Sequence, residues 1–434
     1  MIMKKNIVST ILMSFVCMFV NAQTGTWSGA IDVQGTKIQM TLNLNDAAPT
    51  FDVPTQGAKD IPARLTRNAD GSFTFDVAAI GATYKGTQKG DTIEGTFVQH
   101  GMSFPMQLTE GEKRLSRPQT PQPPFPYTNE EVTFCNGDAT LSGTLTLPEG
   151  YNRNTPVLIM ITGSGLQDRN STMFSHEPFL VIADALARHG IATLRYDDRG
   201  FARSTGDLIS VTTEDLKNDA AAGIALLRGR FSHVGVIGHS EGGTIAMMLA
   251  AEDKADFIVS LAGAAASGKE ILLAQNRTML AAAGMPQQAV DEYCNALARG
   301  FDALVAGKSL DDASACTISV PMLAANYKAA IKQMSTPYGR YFLKLTGSDY
   351  AAKAKCPVLA LNGTLDQQVD CQTNLSLLHK ALGHGNAKNR IAAQTGLNHL
   401  FQHCKTGAVN EYADIEETFS AEAIDEIIKW VKQL

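Results

Sequence analysis

Two different hydrophobic patterns divide the chain. Between residues 24 and about 112, apolar and polar residues alternate in short runs, separated by turn signals such as Gln34-Gly35, Ala69-Asp70-Gly71 and Lys89-Gly90-Asp91. The alternating apolar positions are Ile38, Met40, Leu42, Leu44, Phe73, Phe75, Val77, Ile93, Phe97, Phe104, Met106 and Leu108. A period of two residues is typical of half-buried strands. Residues 23–112 are therefore predicted to form a small antiparallel β-domain, either a sandwich or a barrel.

The second pattern begins near Tyr127, where apolar strands alternate with amphipathic helices after a hairpin over residues 131–134 and 141–147. The predicted strands are Val157–Ile161, Ile191–Tyr196, Val234–Ile237, Phe257–Leu261, Val358–Leu361 and Arg390–Ala393. The predicted helices are Phe179–His189, Thr212–Arg228, the segment from Ser240 to Ala251, and Ala421–Val431. This alternation predicts an α/β domain over residues 127–434, with a doubly wound, mostly parallel sheet covered by helices on both faces.

The alternation of strands and helices is interrupted between residues 264 and 355. Ala- and Leu-rich helical segments dominate there, over Glu270–Ala283, Gln287–Ala306 and Met322–Met334. An insertion between two strands at the ligand-binding edge of such a sheet is expected to form a helical cap over the site. Residues 113–126 contain five prolines and are predicted to be a stiff, extended linker between the two domains.

The N-terminus has the pattern of a signal peptide. Lys4 and Lys5 precede an apolar run, and Val20-Asn21-Ala22 resembles a small-residue cleavage site. Residues 1–22 are therefore expected to be removed from an exported bacterial protein, periplasmic or secreted, without a membrane anchor. The formal charge of −6 becomes −8 when the two lysines of this segment are lost. An acidic chain without a basic tract argues against nucleic acid as a partner.

Six cysteines remain after that removal, and an exported protein can form disulfides. A bridge between Cys371 and Cys404 and a set of free buried thiols are both open at this point. The chain has no C-x-x-C motif, which argues against a structural zinc site.

The most informative segment is Val234–Gly243, which reads V-G-V-I-G-H-S-E-G-G. A short apolar strand runs directly into G-x-S-x-G, with Ser240 at its centre. In a nucleophile elbow the turn is so tight that Gly238 and Gly242, two residues before and after the serine, leave no room for a Cβ. The pattern predicts that the Ser240 hydroxyl stands at the end of a strand and attacks a carbonyl group.

A serine nucleophile needs a histidine base and an acid that orients it, which follow the serine in the order acid, then histidine. Asp366 lies in the turn after the strand at 358–361, and we prefer it to Asp370, which lies further along. His399 lies in the loop after the strand at 390–393, and we prefer it to His403. The other downstream histidines, His379 and His384, come too early in the chain. Metal binding by His399 and His403 is disfavoured because no Glu completes H-E-x-x-H, so neither a metal nor another cofactor is expected.

The negative oxygen of the transition state needs two backbone N–H donors. Glu241, the residue after the nucleophile, should supply one. The other should come from Ser164, or failing that Gly165, in the glycine-rich loop Thr162–Gly165. Two charged segments, Asp168-Arg169 and Asp197-Asp198-Arg199-Gly200, also follow strand ends. We expect them to brace these loops through ion pairs, with direct substrate contact as the alternative.

Together these segments resemble the α/β-hydrolase superfamily, and more narrowly secreted bacterial carboxylesterases of the serine-aminopeptidase-like or prolyl-oligopeptidase-like type. The matching segments are I-T-G-S-G-L-Q-D-R-N, L-R-Y-D-D-R-G, G-H-S-E-G-G, L-N-G-T-L-D-Q-Q-V and G-L-N-H-L-F-Q. The resemblance implies a triad of Ser240, Asp366 and His399 and carboxylesterase activity on short acyl esters. Thr162 departs from the superfamily pattern, in which many members carry His before the oxyanion glycine.

The sequence therefore predicts an exported serine hydrolase that acts on a small-molecule ester, with acylated sugars as one substrate class. A serine peptidase or aminopeptidase of the same fold is the alternative, and Asp311 and Asp312 in the cap are its candidate amine-binding acids. A third hypothesis is carbohydrate binding by the β-domain, whose available aromatic residues include Trp27 and Tyr84.

Overall fold

A computed structural model describes residues 25–33, 36–53, 58–68, 70–99, 101–111, 116–383 and 385–434. These residues fall into two compact units. The first covers the described residues up to 111, and the second starts at residue 116. The expected signal peptide and its cleavage site, the Gln34-Gly35 turn, Ala69, the start of the linker and His384 lie outside the described residues.

Nine strands lie among the described residues of the N-terminal unit. They are β1 (Gly25–Val33), β2 (Thr36–Leu44), β3 (Thr50–Val53), β4 (Ala58–Pro62), β5 (Arg64–Arg67), β6 (Ser72–Val77), β7 (Ala82–Lys89), β8 (Thr92–Gln99) and β9 (Met102–Glu110). All pair antiparallel in one sheet of order β4-β3-β2-β1-β9-β8-β7-β6-β5. The apolar alternation locates β2, β6, β8 and β9 correctly, and the all-β prediction for this part of the chain is confirmed.

This sheet is strongly curled. Three strands separate β3 from β8, and neighbouring strands lie about 4.8 Å apart, so a flat sheet would keep these two roughly 19 Å apart. The rings of Phe51 on β3 and Phe97 on β8 nevertheless stack with centroids at 6.1 Å. The sheet therefore folds around its own apolar core, as in a barrel. Trp27 and Tyr84 are buried in that core, which removes them from any sugar-binding surface.

In the second unit, the residues that the structure describes include eight strands. They are β10 (Tyr127–Asn136), β11 (Ala139–Pro148), β12 (Val157–Ile161), β13 (Ala192–Tyr196), β14 (Val234–His239), β15 (Phe257–Leu261), β16 (Val358–Gly363) and β17 (Arg390–Gln394). Their order is β10-β11-β13-β12-β14-β15-β16-β17. The first two strands form the predicted antiparallel hairpin, and β12 to β17 pair in parallel. The prediction of a mostly parallel sheet is confirmed.

Eleven α-helices lie in the described part of this unit. They are α1 (Pro178–Arg188), α2 (Thr213–Arg228), α3 (Glu241–Ala251), α4 (Gly268–Ala282), α5 (Gln287–Val305), α6 (Leu310–Ser314), α7 (Pro321–Met334), α8 (Pro337–Lys344), α9 (Gly347–Ala351), α10 (Cys371–Leu382) and α11 (Ala421–Val431). The long predicted helices are confirmed to within two residues at each end, whereas no bounds were predicted for α6, α8, α9 and α10. Helices α4 to α9 lie between β15 and β16, and helices within this group share a buried core of their own.

The strand order reverses around β12, which lies between β13 on one side and β14 on the other. In open α/β sheets, ligands bind beyond the carboxyl ends of the strands at such a reversal. The loop Thr162–Gly165 leaves the end of β12, and Ser240 follows β14 directly. The fold therefore brings the expected nucleophile and the expected oxyanion loop to the same point of the sheet.

Of the two possibilities that the sequence left open, the disulfide between Cys371 and Cys404 is wrong. All six cysteines among the described residues are free thiols. The Cys371 thiol contacts the carbonyl of Asn362 at 3.5 Å, and the Cys404 thiol contacts the carbonyl of Gly396 at 3.6 Å, so the two sulfurs have separate main-chain partners. No helix within the described ranges is long and apolar enough to cross a membrane.

Candidate active site

Ser240 has the strained backbone of a nucleophile elbow. It lies between β14 and α3 with φ of 54° and ψ of −119°, a conformation that non-glycine residues rarely adopt. A Cβ on Gly238 would lie 2.0 Å from the carbonyl oxygen of Gly242, and a Cβ on Gly242 would lie 2.2 Å from that of Ile161. These two positions therefore accept only glycine, for the steric reason that the G-x-S-x-G spacing predicts.

His399 and Asp366 are joined in a buried pair. Nδ1 of His399 lies 2.8 Å from Oδ2 of Asp366, and the side chains are 4% and 0% exposed. The same carboxylate accepts further hydrogen bonds from Nδ2 of Asn362 at 3.0 Å and from the backbone N–H groups of Gln368 at 2.8 Å and Val369 at 2.9 Å. These donors fix the carboxylate, which in turn fixes the orientation of the imidazole ring.

His239, directly before Ser240, supports His399 from the other side. Its Nε2 lies 2.8 Å from the His399 carbonyl oxygen, and the two ring centroids are 4.8 Å apart. Complete burial, followed by the nearby His399 ring, lowers the pKa of His239 to about 4. The ring is therefore neutral near pH 7 and donates its Nε2–H to that carbonyl. This contact attaches the residue before the expected nucleophile to the loop of the expected base.

The rival candidates have other partners. Asp370 caps α10 by accepting a hydrogen bond from the backbone N–H of Thr373 at 2.8 Å. His403 is exposed and pairs with Glu417 at 2.9 Å, and His379 lies within α10. The structure thus brings Asp366 rather than Asp370 to His399. Across the described ranges, no three His, Cys, Asp or Glu side chains are grouped in a way that could hold a metal ion.

A cavity of about 530 Å³ opens over Ser240 and His399. Ser164, Gly165 and Glu241, the expected oxyanion residues, also line it. The cap contributes Ile271, Leu272, Gln275, Gln333, Met334, Tyr338 and Phe342. The remaining walls are formed mainly by Gln167, Met173, Phe174, Gln368, Val369, Leu400, Val409 and Tyr412. The site is therefore a deep pocket with an apolar lining and several amide groups, shaped in part by the inserted helices.

The expected oxyanion loop, Thr162–Gly165, runs directly against Ser240. A Cβ on Gly163 would lie 3.2 Å from the Cβ of Ser240, so glycine allows the loop to approach this closely. Glu241 is the first residue of α3, and the backbone N–H of a first helical residue has no partner within its helix. Gly165 adopts a positive φ of 92°, which favours glycine.

The side chain of Glu241 was not assigned a role from the sequence. Its carboxylate is buried and accepts hydrogen bonds from Ser164 Oγ at 2.7 Å, Thr213 Oγ1 at 2.6 Å and Tyr338 Oη at 2.5 Å. Burial and the Glu241 charge raise the pKa of Tyr338, which keeps its hydroxyl protonated as a donor. Glu241 therefore ties the oxyanion loop to α2 and to cap helix α8. No local motif marks Tyr338, because its partner lies 97 positions away in the chain.

The two charged segments form internal contacts, as expected. Arg169 binds Asp197 at 2.8 Å, and Arg199 binds Asp219 at 2.6 Å. Asp198 accepts hydrogen bonds from Thr162 Oγ1 at 2.9 Å and from the backbone N–H of Gln167 at 2.8 Å. Its carboxylate therefore holds the first residue of the expected oxyanion loop and the segment that follows the loop.

Asp198 also makes the stability of the protein depend on pH. Burial, together with the charges of Asp219 and Glu241, raises the pKa of Asp198 from 3.8 to about 7. The folded protein therefore binds more protons than the unfolded chain between these two values, and the contribution of Asp198 to the free energy of unfolding falls as pH rises through this window.

We expect Asp198→Asn to remove this dependence. Relative to the variant, the wild type should lose about 1 kcal/mol of unfolding free energy per pH unit between pH 4 and 7. Urea denaturation of both proteins at pH 5, 6, 7 and 8 measures the difference, with Asp207→Asn, at an exposed position, as the control. Parallel pH curves for the wild type and Asp198→Asn would contradict the assignment.

A strand–serine–helix elbow on a mostly parallel α/β sheet, with a buried His–Asp pair beside it, defines an α/β-hydrolase. The sequence model of the X-Pro dipeptidyl-peptidase family (S15 family) matches residues 137–403, and the chain belongs to that family. The resemblance to α/β-hydrolases read from the sequence motifs is thereby confirmed, and the chain is a serine hydrolase of carboxylesterase-like type.

Individual proteins are also similar to this chain. Esterase EstD of Thermotoga maritima is 26% identical over 323 residues, which cover 71% of this chain and 68% of that protein. Among solved structures, the Pyrococcus furiosus esterase Pf2001 is 16% identical with a TM-score of 0.45, covering 71% of this chain and 93% of its own. Est1E from Butyrivibrio proteoclasticus is also 16% identical, with a TM-score of 0.38 and coverages of 70% and 99%.

Proposed function

We propose that the chain is an exported serine hydrolase that cleaves carboxylic esters with short acyl groups, using Ser240, His399 and Asp366. One observation carries the proposal. His399 Nδ1 is hydrogen-bonded to a buried Asp366 at 2.8 Å, next to a cavity that Ser240 also lines. Export is proposed on the basis of the signal-peptide pattern in residues 1–22, with the periplasm or the medium as the destination.

In the proposed reaction, Oγ of Ser240 attacks the ester carbonyl while Nε2 of His399 accepts its proton. Asp366 holds the ring with a proton on Nδ1, so that Nε2 is free to act as the base. The backbone N–H groups of Glu241 and of Ser164 or Gly165 stabilise the negative oxygen. His399 then protonates the departing alcohol, and a water molecule, activated by the same histidine, releases the acid from Ser240.

The charge of the cavity supports an ester rather than an aminopeptidase substrate. Glu241 is the one carboxylate among the described lining residues, and three hydroxyl groups already occupy it. An aminopeptidase needs an available carboxylate to bind the ammonium group of its substrate. Asp311 and Asp312 are exposed on α6 and do not line the cavity. A neutral ligand therefore suits this pocket best.

The polar groups of the lining favour acylated sugars among the neutral esters. Gln167, Gln275, Gln333 and Gln368 line the cavity. Gln167 already donates to the Gly163 carbonyl and accepts from Ser171 Oγ, so the amides of the other three are the ones that can donate to and accept from a ligand. Sugar hydroxyl groups likewise both donate and accept hydrogen bonds. A small ester whose alcohol carries several hydroxyl groups would use these amides, while its acyl group would contact the apolar walls.

The second candidate is a peptidase, and the name of the matching family favours it. We expect Ser240-dependent release of acetate from peracetylated xylose and rapid turnover of p-nitrophenyl butyrate. Alanine p-nitroanilide and glycyl-prolyl p-nitroanilide should be cleaved at least about a hundredfold less efficiently, since the cavity offers no free carboxylate for their ammonium groups. Faster cleavage of glycyl-prolyl p-nitroanilide than of the sugar ester would reverse the assignment.

A further inference from the structure

Arg117, in the proline-rich linker, binds two loops of the catalytic unit through their main chains. Its guanidinium donates hydrogen bonds to the carbonyl oxygens of Phe174 at 2.7 Å, Ala413 at 2.9 Å and Ile415 at 2.9 Å. A planar guanidinium can hold acceptors in several fixed directions at once, which a lysine ammonium on a flexible stem does not reproduce. The linker residue therefore fixes the relative position of two segments that are more than 200 residues apart in the chain.

Both of these loops contribute to the substrate cavity. Met173 and Phe174 line it from the first loop, and Val409 and Tyr412 line it from the second. The rings of Phe174 and Tyr412 meet edge to face with centroids 6.2 Å apart. These four side chains form an apolar wall of the cavity, which we call the linker-bound wall.

Two further residues, Gln119 of the linker and His176, bond to the segments that follow or carry the linker-bound wall. The side chain of Gln119 accepts hydrogen bonds from the backbone N–H groups of Thr418 and Phe419 and donates to the Phe419 carbonyl at 2.7 Å. The buried ring of His176 lies 2.9 Å from Thr418 Oγ1 and 3.1 Å from the Tyr412 carbonyl. His176 thus joins the two loops to each other, whereas Arg117 binds both of them to the linker.

We propose that Arg117 is a positioning residue that holds the linker-bound wall in place and thereby sets the affinity of the enzyme for esters with acyl groups longer than acetyl. The proposal rests on the ester hydrolysis proposed above. An acetyl group is too small to depend on this wall, whereas each added methylene that it buries should tighten binding by up to about fourfold. The chemistry at Ser240 does not involve Arg117.

The test compares Arg117→Ala, Arg117→Lys and the wild type on p-nitrophenyl acetate, butyrate and hexanoate. The exposed Arg153 provides the matched control, as Arg153→Ala. We expect KM for hexanoate to rise about tenfold in Arg117→Ala. In Arg117→Lys it should rise about threefold, because lysine keeps the charge but lacks the several fixed donor directions of the guanidinium. In both variants kcat for all three esters, and KM for acetate, should stay within about twofold of the wild type.

A general loss of structure would instead lower kcat for every ester, including acetate. If Arg117→Ala does not fold, the selective rise of the hexanoate KM in Arg117→Lys decides the matter. Unchanged KM for hexanoate in the folded variants, or an equal change for acetate and hexanoate, would overturn the proposal.

Failure of the proposed function is recognised separately, in the wild type alone. It would appear as an absence of Ser240-dependent turnover of all three esters.

Discussion

Substitution of Ser240 by alanine should reduce kcat for p-nitrophenyl butyrate by about a millionfold, to the background of the assay. Ser240 is the hydroxyl that the elbow presents at the reversal of strand order, and its backbone φ of 54° persists only because the surrounding glycines and strand hold it. Loss of one oxygen atom removes the covalent step and leaves the binding groups unchanged. Initial rates, with the thermal unfolding midpoint as a check of the fold, measure the effect.

Ser164 offers the matched control, because it is a second serine at the same cavity. Its hydroxyl donates to Glu241, while its proposed part in the reaction uses only the backbone N–H. Ser164→Ala keeps that N–H, so we expect it to retain at least about a tenth of the wild-type kcat. If Ser164→Ala abolished turnover and Ser240→Ala did not, the nucleophile would have been assigned to the wrong serine.

Substitution of Asp366 by asparagine should lower kcat by about ten thousandfold. One carboxylate oxygen accepts hydrogen bonds from two backbone N–H groups, and the other accepts from His399 and Asn362. An amide can keep its oxygen on only one of these sides. With the oxygen on the backbone donors, the amide N–H₂ faces His399, which must then accept at Nδ1 and carry its proton on Nε2. A ring in that tautomer cannot take the proton of Ser240.

The control for this prediction is Asp370→Asn. Asp370 caps α10 through its side chain, and asparagine caps helices about as well as aspartate. Its kcat should therefore stay within about twofold of the wild type, with little change in stability. Steady-state kinetics of the two variants compare the acid we assign with the one that the sequence left as its rival. A larger loss of kcat in Asp370→Asn than in Asp366→Asn would contradict the assignment.

Local signals explain why much of this fold could be predicted. The buried strands Val157–Ile161 and Phe257–Leu261, and the helix that ends at Ala251, are found where their apolar patterns place them. At the start of α2, the Asp215 carboxylate accepts a hydrogen bond from the backbone N–H of Thr212 at 2.8 Å, a contact between residues three positions apart. These elements depend on interactions between residues close in sequence, so the sequence carries them directly. The order in which an acid and a histidine follow the serine in α/β-hydrolases pointed to Asp366 and His399, which the structure pairs although they lie 33 positions apart.

The features that could not be predicted depend on distant partners. Tyr338 reaches Glu241 from a short cap helix, and Arg117 reaches carbonyl groups nearly 300 positions away. Neither has a spacing or motif that distinguishes it from other tyrosines and arginines. The free thiols at Cys371 and Cys404 are a similar case, because an even cysteine count says nothing about which sulfurs come within reach. The side chains that join the cap, the linker and the loops around the cavity could therefore be identified only from the structure.

In the proposed function, the contacts of Tyr338 and Arg117 affect which substrates are bound, whereas the elbow and the His399–Asp366 pair take part in the reaction itself. The elbow and the His399–Asp366 pair belong to the sheet and its loops. The walls of the cavity come largely from the cap and from the two loops held by Arg117. Changes in the cap should therefore alter which esters are bound more than they alter the rate of the covalent steps.

The most direct test of the central claim is to identify the residue that forms the covalent bond. The wild type, Ser240→Ala and His399→Ala are each treated with a fluorophosphonate, digested and examined by peptide mass spectrometry. We predict stoichiometric modification of the wild type on the peptide containing Ser240, none in Ser240→Ala, and strongly slowed modification in His399→Ala. Modification of the wild type at another serine, or undiminished labelling of Ser240→Ala, would contradict the account.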